Sequence, residues 1–312
     1  MNISINRFAL TFAGRFRIFA VAVLLLLSKG VGAGPFSINL NFTGGLSNTQ
    51  QAVFTEAADL WESLLPAYQP GISITGLTIN ASAISIDGVG GILGQAGPGF
   101  AGLKRQGGYW LSTRGTMQFD TADVQDMESD GTFLSVVLHE MAHVMGFGTL
   151  WGVNGVYQTG SGRYTGANAV AAARAELGRP NLTFIPVELG GGPGTANSHW
   201  DERDGGACCT GYTNSQGQDA TFELMTGWLS GPTFISQTTV QSFVDIGYVS
   251  ALSLGLIPGS SFDVPGISMA AISVSAVPEP TTYAMLLFGL GMLGVMTRRT
   301  KASAGLTRHK RC

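Results

Sequence analysis

Cysteine is nearly missing from this chain, with three in 312 residues: Cys208, Cys209 and Cys312. That excludes a disulfide-built secreted scaffold, which needs several paired cysteines at spaced positions. The adjacent pair could close only a strained vicinal disulfide, stay as thiols or link molecules. Charge is also scarce, at 12% of residues, and cations are scarcest. Residues 34–277 hold 7 lysines and arginines against 19 aspartates and glutamates, a net of −12 where the whole chain is only −3. Phosphate-rich partners need clustered cations, so nucleic acid and anionic membrane surfaces are excluded as partners of this region.

Long apolar runs occur only at the two ends. Arg7, Arg15 and Arg17 precede an apolar run from Ile18 to Leu27, and the small residues VGA at 31–33 supply a cleavage site after Ala33. Residues 1–33 therefore read as a secretory signal peptide. The run is short for a membrane span, which weighs against an uncleaved anchor. At the other end VPEP (277–280) precedes an apolar stretch from Thr281 to Thr297 and the basic residues Arg298, Arg299 and Lys301. Such a stretch is near the lower limit for a transmembrane helix, and its basic flank stays on the cytoplasmic side. A plain anchor on a Pro-containing stalk is one reading. The tripartite pattern also resembles the PEP-CTERM sorting signals of Gram-negative bacteria that make extracellular polysaccharide. That resemblance implies recognition by an exosortase, removal of the helix and tail during export, and a product in the cell envelope, on the outer surface or in the extracellular matrix. Membrane contact would then run only through this helix (277–301), with 302–312 as a cytoplasmic tail.

Histidine is the third scarce residue, with four in all. Two of them stand in LHEMAHVMGFG, as His139 and His143. Four residues apart on a helix, they stack on one face and can reach one ion, with the carboxylate of Glu140 projecting beside it. This is the H-E-x-x-H pattern, in which the glutamate takes a proton from a zinc-activated water. The flanking apolar residues Phe133, Leu134, Val137, Leu138, Met141, Val144 and Met145 recur at helical spacing, so the motif lies on a buried helix with Asp130 or Thr132 as its N-cap. Gly146 stands where that helix must stop, because glycine tolerates the positive φ of a C-cap. H-E-x-x-H-x-x-G opens the metzincin signature, but the short version wants a histidine where this chain has Thr149. The third ligand must come from further along. His199, in NSHWDE, is the remaining histidine before the tail, and Glu176 or Glu188 is the alternative of a two-histidine, one-glutamate site. Met225, in ELMTG, is either a methionine turn beneath the ion or ordinary core filling. No cysteine lies between Ala33 and this helix, which excludes a thiolate that blocks the metal from a leading segment.

The order HEMAHVMGFG, a long insertion, SHWDE and FELMTG resembles the leishmanolysin-type metallopeptidases. GILGQAGPGF before the helix and the run from Ser236 to Tyr248 ending in VDIGY add to the likeness, which covers roughly residues 36–250. It implies a zinc-dependent endopeptidase with His139, His143 and His199 as ligands, Glu140 as catalytic base, Met225 in the methionine turn, and proteins or peptides as substrates. The implied fold is α+β: a metzincin-type peptidase domain of two lobes (34–250). A twisted mixed sheet and the active-site helix would form the first lobe, and a loop-rich chain the second. A non-catalytic zinc-containing surface or matrix protein is the alternative, to which the 45 glycines lend some weight. Calcium in the acidic loops Asp123–Asp130 and Asp201–Asp204 is a further cofactor candidate without a ligand pattern behind it.

Periodicity predicts a strand over Phe36–Phe42, an amphipathic helix over Asn48–Leu65 with Val53, Ala57, Leu60, Trp61 and Leu64 on one side, strand material over Ile72–Ile86, and a strand over Gly115–Asp120. That gives the first lobe a sheet and two helices, and the strand nearest the cleft is placed to pair with an extended peptide. Between Gly148 and about Tyr248 one helix is predicted, near Thr238–Ile246. Residues 251–276 read as a linker or short strand region.

Overall fold

Four strands form the central sheet of the computed structural model, in the order Ile38–Gly44, Leu77–Ile84, Arg114–Asp120, Gly94–Pro98. The first three run parallel and the last is antiparallel to its neighbour, so the sheet is mixed. The structure describes residues 34–202, 213–228, 232–257 and 262–263. The leader, all three cysteines and the sorting tail lie outside the described residues. Among the described residues no helix is long and apolar enough to cross a membrane.

Helix α1, Asn48–Leu64, begins with a capping box: the Ser47 hydroxyl accepts from the Gln50 amide, and the Gln50 side chain accepts from the Ser47 amide. Two orphan donors are satisfied at once, which sets the start of the helix. Its inner side is Phe54, Ala57, Ala58, Trp61 and Leu64, while Val53 and Leu60 are only partly buried at the edge of that face. The Trp61 indole N–H donates 3.1 Å to the carbonyl of Leu138 and ties α1 to the helix that carries the H-E-x-x-H motif.

That helix, α3, spans Phe133–Met145, and within it only Leu134 is not fully buried. Enclosure on every side follows from its apolar surroundings and from packing against α1 and the sheet. Thr132 holds the N-cap position without a side-chain cap bond, and Asp130 is instead the last residue of α2, Val124–Asp130. The acidic stretch read as a loop is therefore helical, and the described residues up to Met145 form three α-helices rather than two. At the far end of α3 the Tyr248 hydroxyl donates 2.9 Å to the carbonyl of Met145.

The predicted strands are shifted or shortened at their ends. Pro35 makes only an isolated bridge with Ala67, and Ile38 is the first residue of its strand. Ile72 and Ile74 are buried but precede the strand that starts at Leu77. Between Gly148 and Tyr248 the described residues form two α-helices where the sequence suggested one: α4, Ala167–Glu176, and α5, Gln237–Val244. They are joined at the N-terminus of α5, where the buried Glu176 carboxylate accepts from the amides of Gln237 and Thr238 and from the Thr238 hydroxyl. A carboxylate there satisfies orphan amides and faces the positive end of the helix.

Candidate metal centre

His139 and His143 rise one turn apart from α3, and His199 arrives from 60 and 56 residues further along. Their Nε2 atoms form a nearly equilateral triangle, with separations of 3.0, 3.0 and 3.1 Å. All three rings are buried. Each Nδ1 faces a backbone carbonyl: Leu224 at 2.7 Å for His139, Phe147 at 3.0 Å for His143 and Thr195 at 2.9 Å for His199. A carbonyl oxygen only accepts, so each Nδ1 carries the proton and each Nε2 presents a lone pair. Three lone pairs converging at 3 Å are not hydrogen bonds to one another. They repel until a cation occupies the point they face, and zinc–nitrogen bonds of about 2.0–2.1 Å suit that spacing.

Burial and the neighbouring imidazoles favour the neutral form of His139 and His199. Burial, and then the neighbouring His143, push His139 down to about 3, although the Leu224 carbonyl pulls the other way. Burial and the two other imidazoles hold His199 well below its ordinary value. Neutral imidazoles are the ligand form, with the second nitrogen fixed by an outer hydrogen bond. Among the described residues these three histidines are the one group of three or more side chains placed to share a metal ion.

Glu140 is fully buried beside the triad. Its Cγ lies 3.3 Å from the point a Cβ would occupy on Gly94, so the edge strand Gly94–Pro98 passes directly against it. The alternative third ligands are engaged elsewhere. Glu176 binds the start of α5, and Glu188 accepts from the amide of Gly190.

Two features bring the distant histidine home. Trp200, its neighbour, stacks on Trp151 at 4.9 Å and meets Phe147 and Tyr164 edge-on at 5.0 and 5.2 Å. Just ahead of His199, Asn197 holds a positive φ of 71°, and its side-chain oxygen accepts from the Tyr157 hydroxyl and the Gly160 amide. Asparagine tolerates this conformation better than most residues, and such outliers cluster at functional sites. The second feature is the turn after α3. Gly146 caps the helix at φ 121°, and the Thr149 hydroxyl donates 2.8 Å to the carbonyl of His143. Gly148, at φ 67°, runs so close to the later segment that a Cβ would sit 2.3 Å from the Ser198 carbonyl oxygen. Gly148→Ala is accordingly expected to cost about 1–3 kcal/mol in backbone strain and to push Ser198 and His199 off the triad. Thermal melting and metal content after gel filtration check this, and an unchanged metal content would contradict it.

Met225 is buried within the turn Glu223–Thr226, closed by the Thr226 amide to the Glu223 carbonyl at 3.3 Å. The preceding residue of the same turn, Leu224, holds His139. Sequence reasoning missed the three carbonyls that orient the rings, and Gly148. A backbone carbonyl leaves no trace in residue identity, whereas Gly148 was visible as a glycine but not as a close approach.

Mixed α/β architecture and a buried triad of convergent imidazoles, placed to hold one metal ion, define a protein that carries the H-E-x-x-H pattern. The leishmanolysin family model matches residues 112–252, and the PEP-CTERM protein-sorting motif matches residues 276–299. A leishmanolysin homologue of Crithidia fasciculata is 32% identical over 136 residues, covering 39% of this chain and 18% of that relative. Residues 112–252 are thus similar to the leishmanolysin family and residues 276–299 to the PEP-CTERM sorting motif, and the chain spans about a fifth of the length of that relative. The family is one of zinc metalloendopeptidases, and the sorting motif indicates an exported surface protein of Gram-negative bacteria.

Proposed function

We propose that this protein is a zinc-dependent endopeptidase exported to the cell surface or extracellular matrix. The observation that carries the reading is the triangle of three Nε2 atoms at 3.0–3.1 Å, each ring fixed by a carbonyl behind it. His139, His143 and His199 would hold the ion, Glu140 is the base, and Met225 lies in the supporting turn. When bound, zinc supplies Lewis acidity at the scissile carbonyl and lowers the pKa of a water to roughly 7. Glu140 takes the proton from the attacking water and passes it to the leaving amine. Its burial beside the edge strand keeps bulk water away from that transfer. Strand Gly94–Pro98 has one unpaired edge in the four-stranded sheet, which suits it to bind an extended peptide by backbone hydrogen bonds. The catalytic domain would span 34–250 as two lobes, the sheet with α1–α3 and the loop-rich remainder with α4 and α5, preceded by a signal peptide and followed by a region that an exosortase cuts.

Purified protein is expected to hold one zinc per chain and to degrade casein. Activity should stop with a chelator and return with stoichiometric zinc. A zinc-loaded protein that leaves casein and other peptides intact would favour the binding-only role instead.

A further inference from the structure

Resting on the reading of the triad as a zinc centre, we propose that Glu223 is a positioning residue that holds two of the three ligands through one buried carboxylate. Its Oε2 accepts from the Met225 amide at 2.6 Å, which shapes the turn whose Leu224 carbonyl receives the Nδ1–H of His139. Its Oε1 accepts from the Ser236 amide at 3.1 Å, the Ser236 hydroxyl at 2.9 Å and the Thr239 hydroxyl at 2.5 Å. The Thr239 oxygen in turn accepts the indole N–H of Trp200 at 2.8 Å, one residue from His199. The Trp200 amide closes the circuit by donating 3.0 Å to the Met225 carbonyl. One carboxylate therefore sets the first ligand through the turn and the third through Thr239 and Trp200. His143 stands outside this circuit, since its Nδ1 is held by Phe147 at the end of its own helix.

A carboxylate suits the position because all four groups around it donate. In Glu223→Gln one oxygen becomes an NH₂ group, which can only donate, so it faces either the Met225 amide or the three donors at Ser236 and Thr239 without an acceptor. The circuit breaks on one side or the other, and a ligand loses its fixed orientation.

The test is zinc affinity of the full chain, measured by competition with a chromophoric chelator. Glu223→Gln is expected to weaken zinc binding about 10–100-fold, the scale of losing an outer partner of a ligand. At saturating zinc it should lower kcat on a peptide substrate more than it raises KM, because misaligned ligands act on the reaction rather than on substrate docking. Thr239→Val cuts only the Trp200 branch and is expected to weaken zinc binding by about tenfold. It carries the same comparison if Glu223→Gln does not fold. Glu176→Gln is the control, because that buried glutamate also clamps the N-terminus of α5, but its carboxylate accepts from Gln237 and Thr238 and not from the Met225 turn, Ser236 or Thr239. It should lower the melting temperature and leave zinc affinity unchanged. The proposal is overturned if Glu223→Gln and Thr239→Val bind zinc as the wild type does, or if Glu176→Gln weakens zinc equally. A wild type that binds no zinc refutes the zinc centre itself, an outcome distinct from either.

Discussion

Glu140→Gln is expected to fold, to bind one zinc per chain as the wild type does, and to lose about 10²–10⁴-fold in kcat on casein or a quenched peptide. The expectation follows from where the side chain lies. Glu140 is buried on α3 between the two histidines of that helix, with the backbone of Gly94 against its Cγ, so an isosteric amide fills the same space without creating a cavity. The three ring nitrogens and their carbonyl partners are untouched, which leaves the ligand set whole. What disappears is a group able to take a proton from water and return it to the departing amine. KM should change little, because substrate would be held along the edge strand and not by this carboxylate. Zinc content and kcat measured on the same preparation separate the two effects. Wild-type turnover by a zinc-loaded Glu140→Gln would remove Glu140 from the mechanism, and loss of zinc together with turnover would recast it as a structural support of the site.

The helix that carries Glu140 was legible because everything it needs is local. Two histidines four residues apart, a glutamate between them and an apolar surround on a period of 3.6 all fall within α3, and a helical repeat alone places them on one face. α1 was legible for the same reason, although of its predicted stripe Ala57, Trp61 and Leu64 are buried, Val53 and Leu60 lie at the edge, and the buried Phe54 was missed. α4 was not, since its sequence ANAVAAARAE is dominated by alanine and has no contrast between faces. It is a helix because alanine favours one and because Ala169, Val170 and Ala173 pack inward. α2 was read as an acidic loop, although its glutamate and aspartates flank the buried Val124 and Met127.

The edge strand is the plainest failure of local pattern. GQAGP holds no β-branched or aromatic residue, and nothing in it predicts a strand. It pairs because Arg114–Asp120 offers an open edge, and its small residues let the chain lie close to Phe119 and Glu140. Its place beside Glu140 is a property of the sheet order, which composition does not reveal. Likewise the third histidine could be picked out by scarcity and by resemblance. Spacing alone says nothing about a partner 60 residues away, and only the fold shows Glu176 and Glu188 to be engaged elsewhere.

His199→Ala should release the zinc while leaving the fold in place. Three imidazoles converge on one point, and under the proposed zinc reading deleting one would remove a direct bond to the ion. The loss of affinity should therefore exceed the roughly 10–100-fold typical of an outer-shell partner. The fold should survive because the segment is docked by its neighbour: Trp200 remains stacked on Trp151, its indole still donates to Thr239, and its amide still pairs with Met225. Removing a buried imidazole leaves a cavity and takes one donor from the Thr195 carbonyl, which keeps the Ser198 amide, a cost of about 1–3 kcal/mol that a domain of this size tolerates. Trp200→Ala should do the reverse damage: it leaves every ligand atom in the sequence but takes away the anchor that brings His199 to the triad, so fold stability and zinc should fall together. Elemental analysis after gel filtration, paired with circular dichroism melting, distinguishes the two variants. If His199→Ala retained one zinc per chain and cleaved peptides, the third ligand would have to be a carboxylate, and both buried glutamates would first have to leave the hydrogen bonds that now hold them.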